Sequence, residues 1–112
     1  MRFADGISEI VLRVKDVKAA AKFYQEVVGL VPRTPASDTA EWVWFWAGEV
    51  GQPQTIAVQK GPLLFEEKSP LPEGKRWGQV HFAFKVSRDK LEEAAAHVRS
   101  KGVEVFGPAH FK

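Results

Sequence analysis

The chain has 112 residues, 45% of them hydrophobic, with 16 Lys and Arg against 14 Asp and Glu. That length suits one small domain with a packed core and excludes a TIM barrel or a two-domain dinucleotide enzyme. The near balance of charge gives no reason to expect nucleic acid or an anionic membrane as partner, and the lack of cysteine excludes disulfide scaffolds, zinc ribbons, iron–sulfur clusters and a cysteine nucleophile.

No apolar run approaches the ~18 residues of a membrane helix, and the first six residues do not read as a signal peptide, so a cytoplasmic protein is expected. From Ile7 to Val14, Ile10, Leu12 and Val14 alternate with Glu9, Val11 and Arg13, which predicts a half-buried strand. Asp16 is placed to cap a helix over Val17 to Val28. Its apolar side carries Ala20, Phe23, Tyr24, Val27 and Val28, and Gly29 closes it. Leu30 to Thr34 reads as a short extended segment that Pro32 confines to a sheet edge. After a turn at Pro35 to Thr39, the aromatic run Glu41 to Ala47 is a strand. Period two puts Trp42, Trp44 and Trp46 on one face and Val43 and Phe45 on the other. Gly48 to Pro53 is a loop, and Gln54 to Lys60 a further strand, with Ile56 and Val58 opposite Thr55, Ala57 and Gln59.

Gly61 to Gly78, rich in Pro, Gly and charge, is expected to be a linker or flap, either a solvated loop or a lid. Gln79 to Val86 then reads as a strand. Ser87 is placed to cap a helix over Arg88 to Lys101 with Leu91, Ala94, Ala95 and Val98 inward. Gly102 ends that helix, and Val103 to Phe106 is a last strand. His97 reads as a surface residue, His110 has no assignable role, and Arg13 and Lys85 read as solvated charges.

The chain repeats itself. Glu9-Ile-Val-Leu-Arg-Val lies over His81-Phe-Ala-Phe-Lys-Val, and each strand leads to a helix ending in a glycine, Gly29 or Gly102. The repeat predicts two related modules about a pseudo-twofold axis, with Glu9 and His81 at equivalent points and able to face one cleft. The elements Ile7-Ser-Glu-Ile-Val-Leu-Arg-Val-Lys-Asp-Val, Ala21-Lys-Phe-Tyr and Val28-Gly-Leu, with His81-Phe-Ala-Phe-Lys-Val and Lys101-Gly-Val-Glu-Val-Phe-Gly-Pro, resemble the vicinal oxygen chelate superfamily. That group includes glyoxalase I, extradiol dioxygenases, and fosfomycin- and bleomycin-resistance proteins. The resemblance implies an α+β fold of paired βαβββ modules in a single domain over 1–112. Module one would span 5–60, the flap 61–78, and module two 79–112 without its last strands. A sheet cut short there is expected to pair with a second copy, giving a homodimer, or to mark a fragment.

The resemblance also implies either a divalent metal, Zn, Ni, Mn or Fe, with Glu9 and His81 as ligands, or no cofactor, the two standing as equal expectations. Ala57 falls at or near a third ligand position, where it has no donor, and Gln59 is the substitute considered. Glu9 is equally open to a role as general base or solvated residue, and His81 to a structural one. Trp42, Trp44, Trp46 and Gln59 are expected to line a small-molecule site, although a core or interface is the plainer reading of the tryptophans. The leading expectation is a metal-dependent lyase, isomerase or dioxygenase acting on a small oxygenated molecule. The competing ones are a non-catalytic drug-binding protein of the bleomycin-resistance type and a degenerate fragment that only dimerises.

Overall fold

The structure is a computed structural model and describes residues 2–33, 39–62 and 82–106. Strand β1 spans Glu9–Val14. Asp16 then starts helix α1, Val17–Lys22, in extended backbone geometry, and its side chain accepts a hydrogen bond from the Ala19 N–H at 3.0 Å. The helix continues without a break into wider π-type turns over Phe23–Val28. Gly29 stops it with φ 86°, and its N–H donates to the Tyr24 carbonyl. The helix expected over Val17 to Val28 is therefore present, but its second half is wound differently. Phe23, expected to face inward, is instead 40% exposed, because the wider turn shifts the phase of the apolar stripe.

Strand β2, Val31–Pro32, runs antiparallel to β3, Trp42–Trp46, which runs antiparallel to β4, Thr55–Lys60. Strand β4 returns parallel to β1, so the sheet order is β1-β4-β3-β2 and Pro32 lies on an edge strand, as its missing N–H requires. The expected facing of every strand holds. Val43, Phe45 and Val58 point to one side of the sheet, where Val17, Ala20, Ala21 and Tyr24 of the helical segment cover them. Phe45 and Val58 are almost wholly buried, each contributing about 1.5–3 kcal/mol of apolar transfer. The helix thus closes one face of the sheet and leaves Glu9, Thr55, Ala57, Gln59 and the three tryptophans on the other.

Beyond the sheet, Arg88–Lys90 forms a 3₁₀ turn that leads into helix α2, Leu91–Ser100, which ends before Gly102 at φ 81°. Ser87 has extended geometry at the helix start, but its side chain makes no capping hydrogen bond; its carbonyl accepts from the Lys90 N–H at 2.9 Å. On α2, Ala94, Ala95 and Val98 are half-buried, and Leu91, expected inward, is 41% exposed. His97 of α2 reaches α1: its Nε2 lies 2.9 Å from the Glu26 carbonyl oxygen. A carbonyl only accepts, so the imidazole donates from Nε2, satisfying one of the last carbonyls of the first helix.

The strands expected over Gln79 to Val86 and Val103 to Phe106 form no ladder among the described residues. Their period-two pattern is nevertheless present: Phe82, Phe84, Val103 and Val105 are half-buried, while the residues between them are exposed. Most of the flap, His81, the turn from Thr34 to Asp38 and His110 lie outside the described residues. Among the described residues no helix is long and apolar enough to cross a membrane.

Candidate functional site

The strand register lays the open face out as three rows. Glu9, Thr55 and Trp46 form the first, Val11, Ala57 and Trp44 the second, and Arg13, Gln59 and Trp42 the third. Alternation along each strand brings these side chains to one side, and the parallel return of β4 puts its small residues between the carboxylate strand and the tryptophan strand.

Trp42 and Trp44 stack, with ring centroids 5.2 Å apart and planes 10° from parallel. Residues i and i+2 of a strand repeat at roughly 6.7 Å, so the two indoles lean together into an offset face-to-face stack. The Trp44 indole N–H donates to Glu9 Oε1 at 3.0 Å. Strands β1 and β3 are not neighbours; β4 lies between them, and two strand spacings amount to about 9.5 Å. The indole and the carboxylate therefore meet across β4. Ala57, the β4 residue beside Trp44, is completely buried although its face carries no helix. A methyl group at 57 leaves room for the indole, and a longer side chain would compete with it.

The first row ends in a polar pocket. Arg33 follows β2, and its backbone N–H donates to the Trp44 carbonyl at 2.7 Å, extending the β2–β3 pairing by one residue. Its guanidinium lies over Trp46, 5.2 Å from the ring centroid. Glu9, Ser8, Arg33, Trp46 and Thr55 line a cavity of about 310 Å³ there, and the Thr55 side chain is nearly buried. Arg33 was not among the residues singled out from sequence. Its signal was only its place two residues after Val31, on the face that Trp46 shares.

The expected metal ligands can be tested against this layout. Gln59 pairs with Arg13, four residues along β4 from Thr55, the partner of Glu9. That offset is about 13 Å along the sheet, whereas two donors bound at 2.0–2.2 Å to one ion are roughly 3–3.5 Å apart. Gln59 therefore does not join Glu9 on an ion. Ala57 offers no donor, Glu9 already accepts from an indole, and His81 lies outside the described residues. Among the described residues no three His, Cys, Asp or Glu side chains converge. Of the two expected ligands, Glu9 lies among the described residues and His81 outside them.

Comparison with known proteins agrees on the fold. The sequence profile of the glyoxalase-like domain matches residues 9–110. No curated protein matches the chain. Among solved structures, an integron cassette protein from the mobile metagenome of the Halifax Harbour sewage outfall is 25% identical with a TM-score of 0.66, over 95% of this chain and 78% of its own. A genomically encoded fosfomycin resistance protein from Listeria monocytogenes, an E126Q mutant complexed with manganese(II) and 1S,2S-dihydroxypropylphosphonic acid, is 22% identical with a TM-score of 0.62, over 91% of this chain and 73% of its own. A lactoylglutathione lyase from Agrobacterium tumefaciens is 21% identical with a TM-score of 0.61, over 92% and 75%.

Proposed function

The chain belongs to the glyoxalase-like domain family, and within it we propose that this member binds a small, planar, oxygenated organic molecule on its tryptophan face. The observation that carries the proposal is the Trp44–Glu9 hydrogen bond over Ala57. It spends one lone pair of the carboxylate on holding the side chain in place and leaves the others to accept ligand hydroxyls. The stacked Trp42–Trp44 pair supplies an aromatic surface beside that acceptor, with Trp46 and Gln59 at its two ends. A few oriented polar groups set into an apolar wall is the composition of a small-molecule site, and aromatic stacking adds about 0.5–1.5 kcal/mol beyond buried area.

Ala57 favours binding without catalysis over the metal enzyme, because the place of a third ligand offers no donor. Calorimetric titration with catechol, in the presence and absence of EDTA, separates the two. The proposal predicts saturable binding that EDTA leaves intact. Trp44→Phe and Glu9→Gln should each weaken it roughly tenfold, the effect of losing one charge-assisted hydrogen bond. Binding that EDTA abolishes and added Mn, Ni or Zn restores would instead assign Glu9 and His81 to a divalent ion.

A further inference from the structure

The sheet has two edges, and they are built differently. Strand β2 is two residues long and carries Pro32, so it offers little backbone for pairing. Strand β1 is six residues long, contains no proline, and keeps an unbroken register with β4 from Glu9 opposite Thr55 to Val14 opposite Lys60. The Ser8 and Val14 carbonyls accept from the Thr55 and Gly61 N–H groups at 2.9 and 3.1 Å. In a strand a residue directs both its backbone groups to one neighbour, and successive residues alternate. Ser8, Ile10, Leu12 and Val14 therefore face β4, and the N–H and C=O groups of Glu9, Val11 and Arg13 face outward. Among the described residues nothing pairs with that outward row. It is a template for another strand, without the shortness, proline or bulge that guards an edge.

The side chains of this row make it self-complementary. Glu9 and Arg13 stand symmetrically about Val11, whose side chain is exposed. Two copies of β1 laid antiparallel about a twofold axis at Val11 set Glu9 opposite the partner's Arg13, and Arg13 opposite the partner's Glu9. Residues so opposed lie about 5.5 Å apart at Cα. The two Val11 side chains meet at the axis, and on the helix side Ile10 faces the partner's Leu12. Every outward N–H and C=O of the three residues then has a partner. Sliding the register by two residues sets Glu9 opposite the partner's Val11 and loses the charge match. The Trp44 indole engages only Oε1 of Glu9, which leaves the second oxygen for a guanidinium.

We infer that β1 is an association edge that takes the same strand of a second copy, antiparallel about Val11, to make one continuous sheet across an isologous dimer. A second copy fits better than an unrelated strand because the two charges of the row satisfy each other under the twofold. This goes beyond the proposed function and involves no ligand. It assigns the expected homodimer to the first half of the chain and not to the second.

The test is sedimentation velocity over a wide range of protein concentration, on the wild type, Val11→Pro, Arg13→Glu and Glu9→Arg. Wild type should dimerise reversibly. Val11→Pro deletes an outward N–H and leaves the bonds to β4 in place, so it should stay monomeric and folded. Arg13→Glu opposes carboxylates and Glu9→Arg opposes guanidiniums, so each alone should raise the dimer dissociation constant roughly tenfold. An equal mixture of those two variants restores opposite charges at both cross-strand pairs and should recover a heterodimer near wild-type affinity. A wild type that stays monomeric, or a dimer that Val11→Pro leaves intact, would overturn the inference. A mixture no tighter than its parts would overturn the register. Circular dichroism checks that each variant folds, and wild type alone gives a second readout. Amide exchange at Glu9, Val11 and Arg13 should slow as concentration rises, and much less at Ile10 and Leu12, which are already bonded to β4. Exchange indifferent to concentration would overturn the inference as well.

Discussion

Three side chains decide what the open face is. Trp44 reaches across a whole strand to Glu9, and it does so because position 57 carries only a methyl group. Ala57, which the strand register places beside Trp44, is completely buried. On the covered face, Tyr24 is half-buried between Phe23, whose ring meets it edge-on, and Phe45. Burial raises its phenol pKa above the ordinary 10.0, since the neutral form is favoured away from water. The native state therefore holds that proton more tightly than the unfolded chain. The stability linked to it is complete below pH 10 and is lost as pH rises through the native value. Urea unfolding at a series of pH values above 10 should show wild type losing more stability than Tyr24→Phe. Identical slopes would mean that Tyr24 is not desolvated in solution.

At the scale of elements, the best-determined feature is the end of the first helix. Gly29 takes a left-handed conformation at φ 86°, and a Cβ built there meets nothing within 4 Å. Gly29→Ala should thus cost only the conformational term, about 1 kcal/mol by chemical denaturation, without loss of the fold. A neutral effect would show that the helix end shifts to another residue. This stop was legible in sequence, as were the Asp16 cap and the facing of each strand, because they depend on local backbone geometry and a period of two. The π-type turns were not, since apolar spacing does not distinguish a bond to the fourth preceding residue from one to the fifth. The order of strands was not legible either. Placing β4 between β1 and β3 is a long-range outcome; its register with β1 sets Gln59 four residues from the partner of Glu9, and Trp44 is the residue that reaches the carboxylate. Arg33 was missed for the same reason: its relation to Trp46 exists only once β2 pairs with β3.

At the scale of the molecule, the sheet divides two jobs. One face is closed by the first helix and supplies the core, and α2 is tied to that helix where the His97 imidazole donates to the Glu26 carbonyl. The other face carries the Glu9 carboxylate, the Arg33 guanidinium and the stacked Trp42–Trp44 pair, and it is where the proposed ligand is assigned. The central claim is that this face takes up a small molecule without a metal. The most direct measurement is a nitrogen–proton NMR spectrum of the indole N–H groups during a catechol titration in EDTA, with Trp44 assigned by its absence in Trp44→Phe. The account predicts that the Trp44 signal, already hydrogen-bonded to Glu9, shifts progressively and saturates together with those of Trp42 and Trp46. Indole signals that stay unmoved in EDTA and respond only once manganese or nickel is added would contradict it.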